Sequence, residues 1–222
     1  MASELQILFE DQDLLILNKP SGLVSEGSGD GQNDLESLAS DAAGKEVRCC
    51  NRLDKLTSGA ILLRKNKRFA REIAQIIESH RLKKTYWAIT QGLWPKATNR
   101  IENQLSHRSG RTVADPAGKA ALTTIRVLAH DIPHGRSLIE LLLKTGRTHQ
   151  ARVHCADTGH PIIGDPLYGG GESNALFGLH ARELKFRHPG TGENITATAA
   201  PPNGWETILR AFGLEINQEI TT

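Results

Sequence analysis

The sequence predicts an α+β chain: a large mixed, mainly antiparallel sheet with a few flanking helices. Short apolar, β-branched runs recur in meander order, separated by turn residues. Helical spacing is confined to four short segments, and 21 glycines punctuate the chain. With no internal repeat and no low-complexity linker, residues 1–222 read as a single domain, long enough to bury a core.

Leu5–Phe9 and Leu14–Leu17 are apolar runs joined by Glu10-Asp11-Gln12-Asp13, a hairpin turn, and Lys19-Pro20-Ser21-Gly22 breaks the second. A Gly/Ser/Asp loop is expected over 25–33; it has no G-x-G-x-x-G and no P-loop lysine, so it is not a phosphate cradle. A short helix runs from Leu35 to Gly44. Ala60-Ile61-Leu62-Leu63 reads as a buried strand. The clearest helix begins at Asn66 as N-cap, with Phe69, Ile73, Ile76 and Ile77 on one face. Lys84 and Tyr86 fall in an aromatic, β-branched strand, and further strands are expected at 99–105, 120–128, 137–144, 180–187 and 194–199. Residues 105–119, turn-rich and carrying Arg108 and Arg111, read as a mobile loop. A helix from Thr148 to Thr158 closes at Gly159, and a last one covers Trp205 to Phe212.

Composition narrows the class. Cys49, Cys50 and Cys155 form no C-x-x-C pair and leave an odd count, which argues against a disulfide framework and for a reducing, cytoplasmic setting. No secretory leader opens the chain and no apolar run approaches a membrane span. The net charge of +2 is segregated: residues 1–44 hold nine acids against Lys19 alone, while residues 45–84 hold twelve Lys/Arg against four Asp/Glu. Such asymmetry fits an anionic polymer lying along the middle segment, or equally a solvated helix face balanced by acids elsewhere.

Two stretches carry chemistry. In Asn51-Arg52-Leu53-Asp54-Lys55-Leu56-Thr57-Ser58-Gly59 a carboxylate sits between two cations at the mouth of a buried strand. A carboxylate held ionised there suits a nucleophile or general base, although a lone Asp near an Arg more often forms a surface ion pair. In Leu141–His154 a strand ends at Thr145-Gly146 and a helix starts at once, so that Arg147 stands at the junction and Thr148 can cap the helix. Gly164–Gly169 follows as a tight turn in which Asp165 fixes the backbone. Taken singly, these pieces also read as a capped helix, a loop and a turn. His149 and His154 lack an H-E-x-x-H frame and a third ligand, so no metal is expected. Ser58 lacks a G-x-S-x-G elbow and reads as a turn residue. Lys19 reads equally as a structural residue or a phosphate contact.

Together, and in this order, the blocks resemble the RluA-type pseudouridine synthases. Arg52–Gly59 is similar to the family's H-R-L-D-x-x-T-S-G block and Lys84-Thr85-Tyr86 to its K-x-Y strand. Thr145–Arg152 is similar to T-G-R-T-H-Q-[IL]-R, and Gly164–Gly169 to G-D-x-x-Y-G. Asn18–Gly22 resembles the NKP-[AS]-G turn, and Leu179–Ala181, His188-Pro189 and Ala200–Pro202 the closing segment, so the likeness covers nearly the whole chain.

The resemblance implies a pseudouridine synthase-like fold and a cofactor-free isomerase acting on uridine in structured RNA, rRNA or tRNA, by base flipping. It makes Asp54 the nucleophile, attacking C6 of the base or C1′ of the ribose. It makes Arg147 the carboxylate's charge partner and Tyr86 the aromatic against the base. Arg52 fills the gap left by the flipped nucleotide, and Lys84, Thr57 and Arg152 join it as substrate-binding residues. A monomer with no obligate protein partner is expected. Asn51 stands where the family has His, and Ala151 where it has a branched aliphatic; neither is the nucleophile or its partner. The first bears on a polar contact to RNA, the second on helix packing or a pocket wall. Two other readings use the same residues: an RNA-binding or RNA-folding protein without the reaction, and an N-glycosidase that releases the base.

Overall fold

A computed structural model describes residues 5–27, 34–169, 171 and 176–214. In chain order its elements are β1 (Gln6–Glu10), β2 (Leu14–Lys19), α1 (Leu35–Ala43), β3 (Arg48–Cys49), β4 (Ser58–Arg64), α2 (Ala70–Glu78), β5 (Lys83–Gln91) and β6 (Arg100–Arg108). They continue with β7 (Arg111–Ala114), β8 (Lys119–Asp131), β9 (Arg136–Leu143), α3 (Gln150–Asp157), β10 (Leu179–Arg187), β11 (Asn194–Thr198) and α4 (Glu206–Ala211), the last preceded by a 3-10 turn at Asn203–Trp205. The sheet is mixed and mainly antiparallel with few helices, as predicted. The chain divides into two compact units, Met1–Lys84 with Ala181–Ala200, and Thr85–His180 with Pro201–Thr222.

In the first unit β2 pairs antiparallel with β1 and with β4, and β3 with β4. Flanked on both edges, β2 buries Leu14–Leu17 without alternation. The Asp11 side chain makes the β1–β2 turn by accepting from the Asp13 and Leu14 amides at 2.8 and 2.7 Å. α2 lays Ile73 and Ile76 on Leu14, Ile16, Ala60, Leu62, Leu184 and Phe186, with Phe69 and Ile77 packed beside them. Each buried isoleucine contributes roughly 1.5–3 kcal/mol. The helix begins three residues later than the sequence suggests, with Phe69 and not Asn66 as N-cap. Asn66 turns its Oδ1 to the Arg68 amide, an Asx turn, and its Nδ2 to Asp13 Oδ1 at 2.8 Å, so it shapes the approach and is not the N-cap. α1 ends as expected at left-handed Gly44. The loop expected over 25–33 lies outside the described residues from 28 to 33.

The second unit is an antiparallel succession β5-β9-β8-β6-β7. Residues 105–119 are not a loop: β6 and β7 make a hairpin around Ser109-Gly110, both at positive φ (50° and 76°). Positive φ at both central residues is the turn whose twist matches paired strands, a feature hidden by the basic, polar composition of the tip. Trp205, Leu209 and Phe212 cover Trp87, Ile89 and Leu138, while Val153 of α3 packs on Leu105 and Ala121. Ala151 is also buried, in the packing of α3. Among the described residues no helix is long and apolar enough to cross a membrane.

Candidate active site

Asp54 sits, half-buried, in the loop that leads into β4, and that loop is fastened from behind by residues 19–25. Ser25 Oγ donates to the Leu53 carbonyl at 2.9 Å and accepts from the Leu53 amide at 3.1 Å. Ser21 Oγ donates to Leu56 O at 2.6 Å, and the Gly22 amide donates to Lys55 O at 2.8 Å. Lys19, fully buried at the end of β2, donates its three Nζ protons to the carbonyls of Pro20, Leu23 and Lys55 at 3.0, 2.7 and 3.2 Å. Thr57 N closes the turn onto Asp54 O at 3.0 Å. The main chain on both sides of Asp54 is thus held by hydrogen bonds to the end of β2 and to the turn that follows it. Ser25→Ala is expected to lower stability by about 1–3 kcal/mol, because it strands a buried amide and carbonyl, and to lower turnover with it. Thermal unfolding and rate measurement on the same sample check both.

Lys19 is structural, not a phosphate contact. Burial pushes its pKa down to about 7, opposed by the attraction of the Asp54 carboxylate and of Cys49. The cation inside the loop's support is therefore Lys19, whereas Arg52, exposed, turns to Glu26 at 3.6 Å. A lysine ending a buried apolar strand is the signal for this role, and the sequence displays it in Ile16-Leu17-Asn18-Lys19. Thr57 is 2% exposed, and its hydroxyl has no hydrogen-bond partner among the described residues. Gly59 is obligatory: its φ is +114°, and a Cβ there would stand 2.7 Å from the Ala181 backbone.

The charge segregation along the sequence is answered in part by pairing in space. Arg48 pairs with Glu36 at 3.1 Å, Arg68 with Asp13 at 3.5 Å, Lys65 with Glu10 and Arg52 with Glu26, each joining the basic segment to the acidic one. Four of the twelve cations of residues 45–84 thus face acids of residues 1–44 within the first unit.

Tyr86 lies in β5 opposite Leu141 of β9 and is 7% exposed; Lys84, two residues earlier on the same face of the strand, is half-buried. Arg147 stands at the β9–α3 junction. Its Nε donates to Ala120 O at 3.0 Å and its amide to Gln150 Oε1 at 3.1 Å. Thr148 does not cap α3. The N-cap is His149, at φ 55° and without a side-chain cap bond, and Thr148 instead offers its carbonyl to Thr112 Oγ1. A non-glycine residue in the left-handed region costs of order 1 kcal/mol and is held there by its surroundings; His149 Nδ1 meets Tyr168 Oη at 3.0 Å. Arg152 is 6% exposed and fully engaged inside the protein, donating Nε and Nη2 to Asp165 at 2.8 Å each beneath the rings of Tyr168 and Phe177. Asp165 fixes its turn as expected, accepting from the Leu167 and Tyr168 amides at 2.9 and 3.2 Å.

His154 is buried between Thr123 and Asn103, which take up both ring nitrogens, and burial pushes its pKa down to about 4. Asp54 belongs to the first unit, Tyr86 and Arg147 to the second. Two residues and one pairing escaped the sequence reading: Ser25, placed in a loop; Gln150, read only as a motif letter; and the partnership of Asp165 with Arg152, thirteen residues apart.

Residues 13–157 match the family model described as RNA pseudouridylate synthase, which spans parts of both units. An uncharacterised RNA pseudouridine synthase of Bacillus subtilis, YhcT, is 40% identical over 221 residues, covering 94% of this chain and 72% of its own length. The tRNA pseudouridine synthase C of Vibrio cholerae is 31% identical, covering 94% of this chain and 96% of its own. Among solved structures, human RNA pseudouridylate synthase domain containing 4 superposes with a TM-score of 0.76 at 26% identity, over 95% of this chain and 94% of its own. With those matches added to the motif blocks and to the sheet that carries them, the chain belongs to the RNA pseudouridylate synthases of the RluA type, enzymes that isomerise uridine in RNA.

Proposed function

We propose that Asp54 is the nucleophile of this isomerisation, acting without a cofactor on a uridine flipped out of structured rRNA or tRNA. The observation that carries the reading is the fastening of the Asp54 loop, whose flanking carbonyls at Leu53, Lys55 and Leu56 all accept from residues 19–25. The reaction breaks the N1–C1′ bond, turns the uracil over, forms C5–C1′, removes the C5 proton and returns a proton to N1, so product and substrate are isomers. Attack by the carboxylate at C6 or at C1′ each requires an ionised Asp54 in a pocket closed to water, which would otherwise divert the reaction to hydrolysis. In this reading Arg147 keeps that carboxylate ionised and oriented, and a fixed guanidinium is suited to it. Tyr86 stacks on the base and assists loss of the C5 proton. Arg52, exposed and at the loop's outer side, takes the place of the flipped nucleotide by stacking and phosphate pairing. Thr57, with a hydroxyl to spare, and Lys84 serve the bound nucleotide.

We further propose that both units work as one catalytic domain, as a monomer in the cytoplasm; the free state of Cys49, Cys50 and Cys155 fits a reducing compartment. The test is tritium release from transcribed rRNA and tRNA labelled at uridine C5. Release with pseudouridine in the digest is expected. RNA bound without release would sink the catalytic reading in favour of RNA binding alone, and free uracil would make the enzyme a glycosidase.

A further inference from the structure

We propose that Gln150, Thr123 and His154 are positioning residues for Arg147, joined in one directional hydrogen-bond relay. The inference rests on the reading that Arg147 serves the reaction. Gln150 is 1% exposed and uses its whole amide. Oε1 accepts from Thr145 Oγ1 at 2.7 Å and from the Arg147 amide at 3.1 Å, while Nε2 donates to Leu122 O at 3.1 Å and Thr123 Oγ1 at 3.0 Å. Thr145 Oγ1 in turn accepts from the Leu122 amide at 2.9 Å. Thr123 Oγ1, already an acceptor from Gln150, meets His154 Nδ1 at 2.9 Å, and His154 Nε2 meets Asn103 Oδ1 at 2.9 Å.

The acceptor at Asn103 requires a proton on Nε2. Neutral His154 then leaves Nδ1 as the acceptor of the Thr123 hydroxyl, and its depressed pKa keeps it neutral. With the proton on Nε2 the bonds run one way, from Gln150 through Thr123 and His154 to Asn103. At the other end Gln150 Oε1 pins the backbone amide of Arg147, next to the Cα that carries its side chain. The relay sets the rotation of Gln150, and Gln150 sets the Thr145-Gly146-Arg147 turn. A buried polar network of this kind fixes one arrangement only when all members are satisfied, as they are here.

Shape and hydrogen bonding are separated by Thr123→Val, which keeps the volume and removes the hydroxyl, and Thr123→Ser, which does the reverse. With wild-type RNA substrate, Thr123→Val and Gln150→Met are expected to lower kcat about 30- to 100-fold with KM within about twofold, the scale of a misplaced reacting group. Thr123→Ser is expected to stay within about threefold of wild type. Placed on Arg147→Met, Thr123→Val should add nothing further, because it acts through the same side chain. Thr123→Val and Gln150→Met both at the wild-type kcat, while Arg147→Met is inactive, would overturn the relay alone. Full additivity with Arg147→Met, or equal loss in Thr123→Val and Thr123→Ser, would overturn it too. Arg147→Met at the wild-type rate would instead remove the underlying reading. Should Gln150→Met fail to fold, the Thr123 pair decides the matter.

Discussion

Asp54→Asn is expected to abolish pseudouridine formation, by at least about 10³-fold in kcat, which is about 4 kcal/mol of transition-state stabilisation. The substitution keeps the side chain's shape and removes only its charge and nucleophilicity. Ser21, Gly22 and Ser25 grip main-chain atoms of the loop by bonds that need no charge at Asp54. RNA binding should accordingly stay within a few-fold of wild type, and far-UV circular dichroism should not change. One electrostatic consequence follows inside the protein. The Asp54 carboxylate is the largest influence holding Lys19 up against burial, so its loss should move the Lys19 pKa below about 7. Tritium release, filter binding and thermal unfolding on one preparation distinguish the outcomes. Wild-type release by the variant would remove Asp54 from the chemistry, whereas lost release together with lost folding would leave the residue's role in the reaction unproved.

Most strands were legible because apolar runs and turn residues are local signals, and the four motif blocks because their letters are contiguous; the pairing was not, since β5 pairs with β9 and β6 with β8 where a meander was expected. What stayed hidden depends on atoms brought together from a distance. Asn66 resembles an N-cap in sequence, yet its Oδ1 accepts from Arg68 in a turn before α2 while its Nδ2 is tied to Asp13, fifty-three residues away. Ser109-Gly110 looks like a loop until the backbone places both residues at positive φ. A charge count along the chain also cannot see that Glu10, Asp13, Glu26 and Glu36 answer Lys65, Arg68, Arg52 and Arg48. Of the residues proposed for catalysis, Asp54 and Arg147 were named from the sequence, and the structure supplied what holds each: Lys19 and Ser25 for the one, Gln150 for the other. Supporting residues are the harder class to read, since a serine or a glutamine has no chemistry of its own to announce it.

Asp165→Asn is expected to lower stability by about 3–5 kcal/mol. Asp165 is wholly buried and Arg152 nearly so, with two parallel N–H···O bonds of 2.8 Å between them and two aromatic rings closing over the guanidinium. Removing the carboxylate charge leaves a cation in a place from which water is excluded, and that uncompensated charge, more than the lost bonds, sets the cost. For a chain of 222 residues this corresponds to a fall in Tm of roughly 10 °C. Arg152→Met should cost a similar amount by stranding the Asp165 carboxylate, while the double variant Arg152→Met/Asp165→Leu should recover much of either loss, because no charge then remains buried. Denaturant unfolding of the three variants forms the cycle. Singles within about 1 kcal/mol of wild type would mean that the pair is solvated and that Arg152 has a guanidinium to offer the RNA. Large single losses with recovery in the double variant would assign the arginine of the Thr145–Arg152 block to holding the Gly164–Gly169 turn against α3, and leave contact with substrate to Arg147 in the same block.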